Sequence, residues 1–302
     1  MNNYEKKKQY LFLLPLFLVL ITVVAYPFVS NFCFSFLDYK LTKQVHPFCG
    51  FANYIKIFSL DQFWMLLKNT IVWALSNIVI TLVLGISVGL LLDASLHGKV
   101  LLQSVILIPW VLPETVTAYT WKWMMSADYG ILNRILQQLH VIGTDFSWFR
   151  DGKMAMLAVI LANAWRSFPF LAVMVFAKKR SMPADWTEAA VLDGANGWQI
   201  FRYITLPYLK PVITRVSLLI FIWSYNSFGI IYTMTDGGPL GATTTFPIYI
   251  QKEAFQNYDF GITSAMSVVM MASMLVFLFA FEKVPRWLRK LLGLSAPQEE
   301  PV

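Results

Sequence analysis

The chain has 302 residues, of which 57% are hydrophobic and only 14% are charged, and its formal net charge is +7 at pH 7. Soluble domains contain roughly 25% charged residues, so this composition argues against a water-soluble globule. The basic residues lie between apolar segments and form no continuous basic stretch. This pattern argues against nucleic acid as a partner and favours a membrane protein in contact with lipid.

Cysteine and histidine are sparse in the sequence. Cys33 and Cys49 lack the C-x-x-C spacing, and His46, His97 and His140 are scattered along the chain. A metal or redox site is therefore not expected.

Six apolar stretches are long enough to cross a bilayer, since a spanning helix needs about 20 mostly apolar residues. They occupy residues 10–37, 69–92, 100–125, 154–177, 208–233 and 263–281. Each is predicted to be a helix, because an isolated strand would leave its backbone groups unpaired in lipid. The first stretch is too long for a signal-peptide core and no small-x-small cleavage site follows it, so we interpret it as a retained span. The predicted fold is an all-α integral membrane protein with six transmembrane helices.

The distribution of Lys and Arg predicts the orientation of these helices. Counted over alternating connections, one set contains 13 of these residues and the other contains 8. The richer set includes both ends of the chain, and cytoplasmic connections are the ones enriched in Lys and Arg. We therefore predict a cytoplasmic N-terminal tail at residues 1–9, a membrane domain at 10–285 and a cytoplasmic C-terminal tail at 286–302.

Small and polar residues form a stripe along the second stretch. Asn77, Thr81, Gly85 and Gly89 are spaced four residues apart and end in a GxxxG pattern. Such a stripe lets another helix backbone approach closely. We expect it to pack against another helix of the same chain rather than to contact a substrate.

Two prolines interrupt the third stretch. Pro109 and Pro113 remove backbone donors and are predicted to kink or break this helix. A broken helix of this kind can line a cavity, or the bend can be purely structural.

Two arginines and one carboxylate lie inside the apolar stretches. Arg166 and Arg215 need ion partners or water, because a charge at the bilayer centre costs about 2.5 to 3.5 kcal/mol. Arg166 shares a helical face with Asn163 and Phe170. Glu114, beside a proline in the third stretch, is the one carboxylate well inside an apolar stretch. An ion-driven transporter is expected to have a relay of such acids.

A second polar face is predicted on the fifth stretch. Arg215, Asn226 and Thr233 are separated by eleven and seven residues. On one continuous helix these offsets return to nearly the same face. That face is predicted to point towards the protein interior.

The connection between the fourth and fifth stretches contains two helix signatures. The first has a proline suited to an initial turn and acidic residues near its start: Pro183, Asp185 and Glu188. This helix is predicted to run to about Asp193, residues 194–197 to break it, and a second short helix to end at Pro207. Such a pair suits a cleft in a soluble partner, and a helix on the membrane surface fits nearly as well.

The same connection resembles the "EAA" loop of the membrane subunits of binding-protein-dependent ABC importers. The matching positions are Glu188, Ala189, Ala190, Gly194, Ile204, Leu206 and Pro207. We call residues 178–207 the EAA loop. Other segments are similar to carbohydrate permeases of that family: PWVLPETVTAYTWKWMM from Pro109, GILN from Gly130, WRSFPF from Trp165, YNSFGIIYTMTDGGP from Tyr225 and AFQNYDFG from Ala254. The stretch AKKR from Ala177 departs from the family pattern, so the resemblance does not specify the substrate subgroup.

The resemblance implies a division of labour among subunits. The EAA loop would dock into an ATPase subunit, with Ala189 and Ala190 allowing close packing, Glu188 making polar contacts and Gly194 forming the turn. The chain has no GxxxxGK[ST] phosphate loop, so ATP and Mg would bind to partner subunits and this chain would carry no cofactor and no enzyme activity. The implied partners are a second homologous permease, two ATPase subunits, an extracytoplasmic solute-binding protein and a sugar, in the bacterial cytoplasmic membrane.

Sugars are bound by hydrogen bonds to their hydroxyl groups together with apolar and aromatic contacts. The residues predicted to line such a path are Tyr119, Asn163, Arg166, Trp223, Tyr225, Asn226 and Thr233. Alternatively, Trp223 and Tyr225 are packing or membrane-interface residues and Arg166 closes a structural ion pair.

Alternating access driven by ATP on the partner subunits is the expected mechanism. The alternatives are an ABC importer for another solute, such as a glycerol-phosphate-like compound or an amino acid, and an ion-coupled secondary transporter. A membrane enzyme or receptor is disfavoured, because no nucleophile and base occur at a recognisable spacing.

Overall fold

The computed structural model describes residues 12–94 and 98–291, which are helical except for connecting loops and two isolated β-bridges. The predicted N-terminal tail at 1–9 and His97 lie outside the described residues. So does most of the predicted C-terminal tail at 286–302, although the last helix continues to Leu291.

The helices of the described residues are labelled in chain order. They are α1 Phe12–Phe34, α2 Ala52–Phe58, α3 Asp61–Asp93, α4 Lys99–Val111, α5 Glu114–Met124, α6 Ile131–Gln138, α7 Gly152–Arg180, α8 Ala184–Leu192, α9 Gly197–Tyr225, α10 Gly229–Thr235, α11 Phe246–Phe255 and α12 Phe260–Leu291. Five of them, α1, α3, α7, α9 and the Phe260–Phe281 part of α12, are long and apolar enough to cross a membrane. The pair α4 and α5 is a sixth candidate span, so the predicted all-α membrane fold is confirmed.

The third span is broken where the prolines predicted a kink. α4 and α5 meet at an angle of 98°. Pro109 remains inside α4, whereas Leu112 adopts an extended conformation directly before Pro113. The cause is steric, because a proline disfavours the helical conformation of the residue that precedes it. We call the break at residues 112–113 the elbow.

The predicted bounds of the fifth span are wrong at both ends. α9 starts at Gly197, passes through Pro207 without a break and stops at Tyr225. Residues Phe201–Thr205 form a π-helical turn just before the proline. In this wider turn the bonding carbonyls are displaced, so the proline ring is accommodated inside the helix. The separate short helix ending at Pro207 therefore does not exist, and Thr233 belongs to another helix, α10.

The described residues divide into two compact units, one formed by 12–64 with 249–291 and the other by 65–248. In the first unit, Asn53 donates its amide hydrogens to the carbonyls of Ser35 and Leu37, both at 2.9 Å. Lys40 pairs with Asp259 at 3.2 Å. These bonds tie the segment after α1 to α2 and to the start of α12.

The second unit is organised around α7, which has buried residues from Ala155 to Val175. The small-residue stripe of α3 packs on α7: a Cβ at Gly85 would lie 2.7 Å from Leu171 Cδ2, and one at Gly89 would lie 2.7 Å from the Ala172 carbonyl oxygen. The expected packing within the chain is therefore confirmed.

Candidate functional site

The EAA loop folds as two helices joined by a tight turn. α8 ends at Leu192, close to the predicted end at Asp193. Gly194 has φ +85°, a conformation that L side chains rarely adopt. Its N–H donates to the carbonyl of Val191 at 3.0 Å, and the N–H of Ala195 donates to that of Ala190 at 2.9 Å. These bonds satisfy carbonyls that the end of the helix would otherwise leave unpaired.

The start of α9 is fixed by its own side chains. Asn196 accepts a hydrogen bond from the N–H of Gln199 at 2.9 Å, and the Gln199 side chain accepts one from the N–H of Asn196 at 2.7 Å. This reciprocal cap defines where α9 begins. The sequence reasoning did not include it, although the N-x-x-Q spacing at these positions is its usual signal.

Large apolar side chains are exposed on the EAA loop beside its charged residues. No residue of α8 is buried; Glu188 and Ala189 are exposed, and Ala190 is half-buried. Leu192 and Trp198 are 88% and 69% exposed. Ile204 and Leu206 are half-buried and Pro207 is exposed, all near the base of α9. Exposed apolar surface of this kind marks an interaction site.

Tyr208 joins the two ends of the EAA loop. Its hydroxyl donates to the carbonyl of Ser181 at 2.9 Å, and the ammonium of Lys178 lies 4.1 Å from the centre of its ring. The ring of Trp186 packs edge-on against it at 5.6 Å. Arg180 lies 3.9 Å from Asp93 of α3. Sequence reasoning missed Tyr208, because a single sequence does not show which residue faces the basic end of α7.

Arg166 contacts the residues on either side of Pro113 at the elbow. Its Nη1 lies 3.5 Å from Glu114 Oε1, and its Nε donates to the carbonyl of Leu112 at 3.3 Å. Asn163, one turn earlier, is buried and donates its amide hydrogen to Asn77 at 2.8 Å. Of the two possibilities that the sequence left open for Arg166, the structure contains the ion pair.

An aromatic wall lies next to this ion pair. The ring of Phe170, one turn after Arg166, is 5.6 Å from the ring of Trp110 and 5.2 Å from that of Trp223. Trp110 and Trp223 are each more than one-third exposed. Trp223 was among the predicted path residues, whereas Trp110, beside Pro109, was not.

The other predicted path residues are not all brought together. Tyr119 is exposed on α5, whereas Tyr225 is completely buried and packs on Phe221 at 5.3 Å. Asn226 is exposed at the end of α9, and its amide donates to the carbonyl of Ile222 at 2.8 Å. The half-buried Thr233 accepts a hydrogen bond from Lys122 at its carbonyl, at 3.2 Å.

The predicted polar face of the fifth span is wrong. The helix ends at Tyr225, so Arg215, Asn226 and Thr233 do not share a continuous helix. In the chain, Arg215 is exposed rather than directed into the interior. Spacing along a helix cannot predict a common face across a break that hydropathy does not mark.

Residues 71–290 match the profile of the family described as binding-protein-dependent transport system inner membrane component. The chain is 34% identical to the trehalose/maltose transport system permease protein MalF of Thermococcus litoralis, over 94% of this chain and 96% of the relative. It is 31% identical to the diacetylchitobiose uptake system permease protein DasB of Streptomyces coelicolor, over 86% of this chain and 81% of the relative.

Among solved structures, the fold is similar to that of a chain of a bacterial alginate ABC transporter in complex with an alginate pentasaccharide-bound periplasmic protein. The TM-score is 0.78 and the sequence identity is 18%, over 95% of this chain and 96% of that chain. This similarity extends over both compact units.

Proposed function

This chain belongs to the binding-protein-dependent transport system inner membrane component family, and on that premise we propose that it is the sugar-conducting membrane subunit of an ABC importer. It is a multi-pass protein of the inner membrane. In our proposal it has no enzyme activity, and ATP and Mg bind to two separate ATPase subunits. A second homologous permease and an extracytoplasmic binding protein complete the importer. The observation that carries the proposal is the EAA loop, which is exposed, is held by hydrogen bonds at its turn and has every signature position of the motif.

The substrate class is supported by two observations. Both relatives described above are named for the transport or uptake of sugars. In the chain itself, the aromatic wall formed by Trp110, Phe170 and Trp223 offers the flat apolar surface that sugar rings pack against. Asn226, exposed at the end of α9, supplies amide groups that can hydrogen-bond to hydroxyls.

The charge at the elbow favours a neutral substrate. A phosphorylated solute needs cationic side chains along the path, and Arg166 is already paired with Glu114. The alternative importers, for a glycerol-phosphate-like solute or an amino acid, are therefore less well supported. An ion-coupled transporter has less support still, because Glu114 is engaged by Arg166 and has no second acid of a proton relay within its own span.

The EAA loop transmits the state of the ATPases to the membrane helices. When ATP draws the ATPase subunits together, α8 moves with the cleft that holds it, and α7 and α9 follow because Tyr208 joins the two ends of the loop. The membrane helices then open towards the binding protein, and hydrolysis returns them to the inward-facing state. The N- and C-termini and the EAA loop lie on the cytoplasmic side.

The test is uptake of labelled trehalose, maltose and diacetylchitobiose by proteoliposomes that contain the complete importer and its binding protein. We expect uptake of at least one sugar, dependent on ATP. Gly194→Val forces a branched side chain into a left-handed turn, and Ala189→Arg adds bulk to the docking surface; both should abolish uptake while membrane insertion remains normal.

Gly143→Val is the matched control, because a Cβ at Gly143 meets no atom within 4 Å and its φ lies outside the left-handed region. This variant should transport like the wild type. Uptake without the ATPase subunits, or full uptake by both EAA-loop variants, would refute the coupling role. Uptake restricted to amino acids or glycerol phosphate would refute the sugar assignment alone.

A further inference from the structure

The elbow leaves polar backbone groups inside an apolar span. At a helix break, carbonyl groups lose their partners in the next turn, and lipid offers no replacement. The carbonyl of Leu112, the residue at the break, receives Arg166 Nε at 3.3 Å. A side chain from α7 therefore supplies the donor that the broken helix lacks.

The same guanidinium also holds the far side of the break. Glu114 is the first residue of α5, and its carboxylate lies 3.5 Å from Arg166 Nη1. Arg166 thus contacts one residue before Pro113 and one residue after it. The planar fork of arginine can serve two acceptors at once, which the single ammonium group of lysine does less well. The two side chains are 24% and 37% exposed, so water weakens this pairing only in part.

The carboxylate of Glu114 is confined from a second direction. A Cβ at Gly229, the first residue of α10, would lie 2.5 Å from Glu114 Oε2. Lys122 of α5 adds a bond to the carbonyl of Thr233 in α10, at 3.2 Å. α5 is therefore held between α7 on one side and α10 on the other.

The geometry points to Arg166 as a positioning residue that sets the angle of the elbow. Through that angle it places Trp110 against Phe170, one turn further along α7, and so aligns the aromatic wall. Glu114 is the partner that keeps Arg166 in place. The consequence for transport rests on the proposed function, whereas the effect on the elbow does not.

The placement of α5 relative to α7 is measured as the distance between spin labels at Val116→Cys on α5 and Met174→Cys on α7. The measurement uses the complete importer with Cys33→Ser and Cys49→Ser. Val116 and Met174 are both exposed, so labels fit without repacking. We expect one narrow distance population in the parent protein. Arg166→Gln and Glu114→Gln should each broaden or shift it, and the double variant should show no further change because the two residues act as a unit.

Arg166→Lys should give an intermediate distance distribution, since it keeps the positive charge but loses the planar guanidinium that serves two acceptors. The matched control is Arg215→Gln, which removes an exposed arginine from another span and should leave the distribution unchanged. If Arg166→Gln fails to assemble, Glu114→Gln alone decides the question. An unchanged distribution in the Arg166 and Glu114 variants, or an equal change in Arg215→Gln, overturns the proposal.

Uptake then separates this proposal from the proposed function. Variants with an altered elbow should have a maximal uptake rate about tenfold lower than that of the wild type, the effect of a barrier raised by about 1.4 kcal/mol. The apparent affinity for the loaded binding protein should not change. If the wild type carries no sugar, the proposed function fails while the distance result stands. If an altered elbow leaves the uptake rate unchanged, the consequence for transport is overturned, whereas the role of Arg166 in setting the elbow stands.

Discussion

Two aspartates of the first unit illustrate how the surroundings of a residue determine its contribution to stability. Asp259 is 8% exposed, pairs with Lys40 at 3.2 Å, and accepts a hydrogen bond at 3.1 Å from the N–H of Ile262, in the first turn of α12. Asp38 pairs with Lys43, and both of these side chains are more than one-third exposed. The Lys43 hydrogen bond lowers the pKa of Asp38, yet water still screens the pair.

We therefore expect Asp259→Ala to reduce the free energy of unfolding by about 2 kcal/mol, since it removes a helix cap and an ion pair together. Asp38→Ala should cost about 0 to 1 kcal/mol. Thermal unfolding in detergent measures both. Asp259→Asn keeps an acceptor for the cap and should fall between them, and equal losses for Asp259→Ala and Asp38→Ala would contradict this account.

At the scale of elements, α3 and α7 pack closely, because the glycines of α3 place no side chain between the two helices. The two glycines of the stripe meet different atoms: Gly85 faces the side chain of Leu171, and Gly89 faces the carbonyl oxygen of Ala172. A side chain can adopt another rotamer, whereas a backbone carbonyl within a packed helix cannot move as easily.

Gly89→Ala should consequently destabilise the protein by about 1 to 3 kcal/mol, and Gly85→Ala by less. Gly143→Ala serves as the control, because no atom lies within 4 Å of its added Cβ. Thermal unfolding of the three variants gives the order. A larger loss of stability for Gly85→Ala than for Gly89→Ala would contradict this account. It would mean that α3 and α7 relieve the close contact at Gly89 by moving apart.

The sequence predicted elements where one physical signal dominates. Hydropathy located the spans, the proline pair located the elbow, and the four-residue spacing from Asn77 to Gly89 located the contact with α7. It failed where two signals conflict: Pro207 indicated a helix end, but the adjacent π-helical turn accommodates it.

Contacts between residues far apart in the chain were beyond prediction from one sequence. The sequence shows that Arg166 needs a partner and that Glu114 is a carboxylate inside an apolar stretch, but nothing in the spacing identifies one as the partner of the other. Tyr208 and Trp110 were missed for the same reason. The turn at Gly194 was predicted because its signal is local.

At the scale of the whole molecule, the proposed orientation can be tested by labelling. A single cysteine at Asp193→Cys in the EAA loop should react with a membrane-impermeant maleimide in inside-out vesicles and not in intact cells, in a background free of Cys33 and Cys49. Val45→Cys, exposed in the segment after α1, should show the opposite pattern. Reaction of Asp193→Cys in intact cells would reverse the proposed topology and remove the EAA loop from the reach of an ATPase.

The unbroken course of α9 has a mechanical consequence. A break at Pro207 would absorb a displacement at the base of the helix, but α9 continues from Gly197 to Tyr225 as one helix of about 40 Å. A small tilt imposed at its lower end therefore becomes a sideways stroke at its upper end, where Trp223 is carried. In the proposed mechanism, α9 acts as a lever whose length sets the amplification.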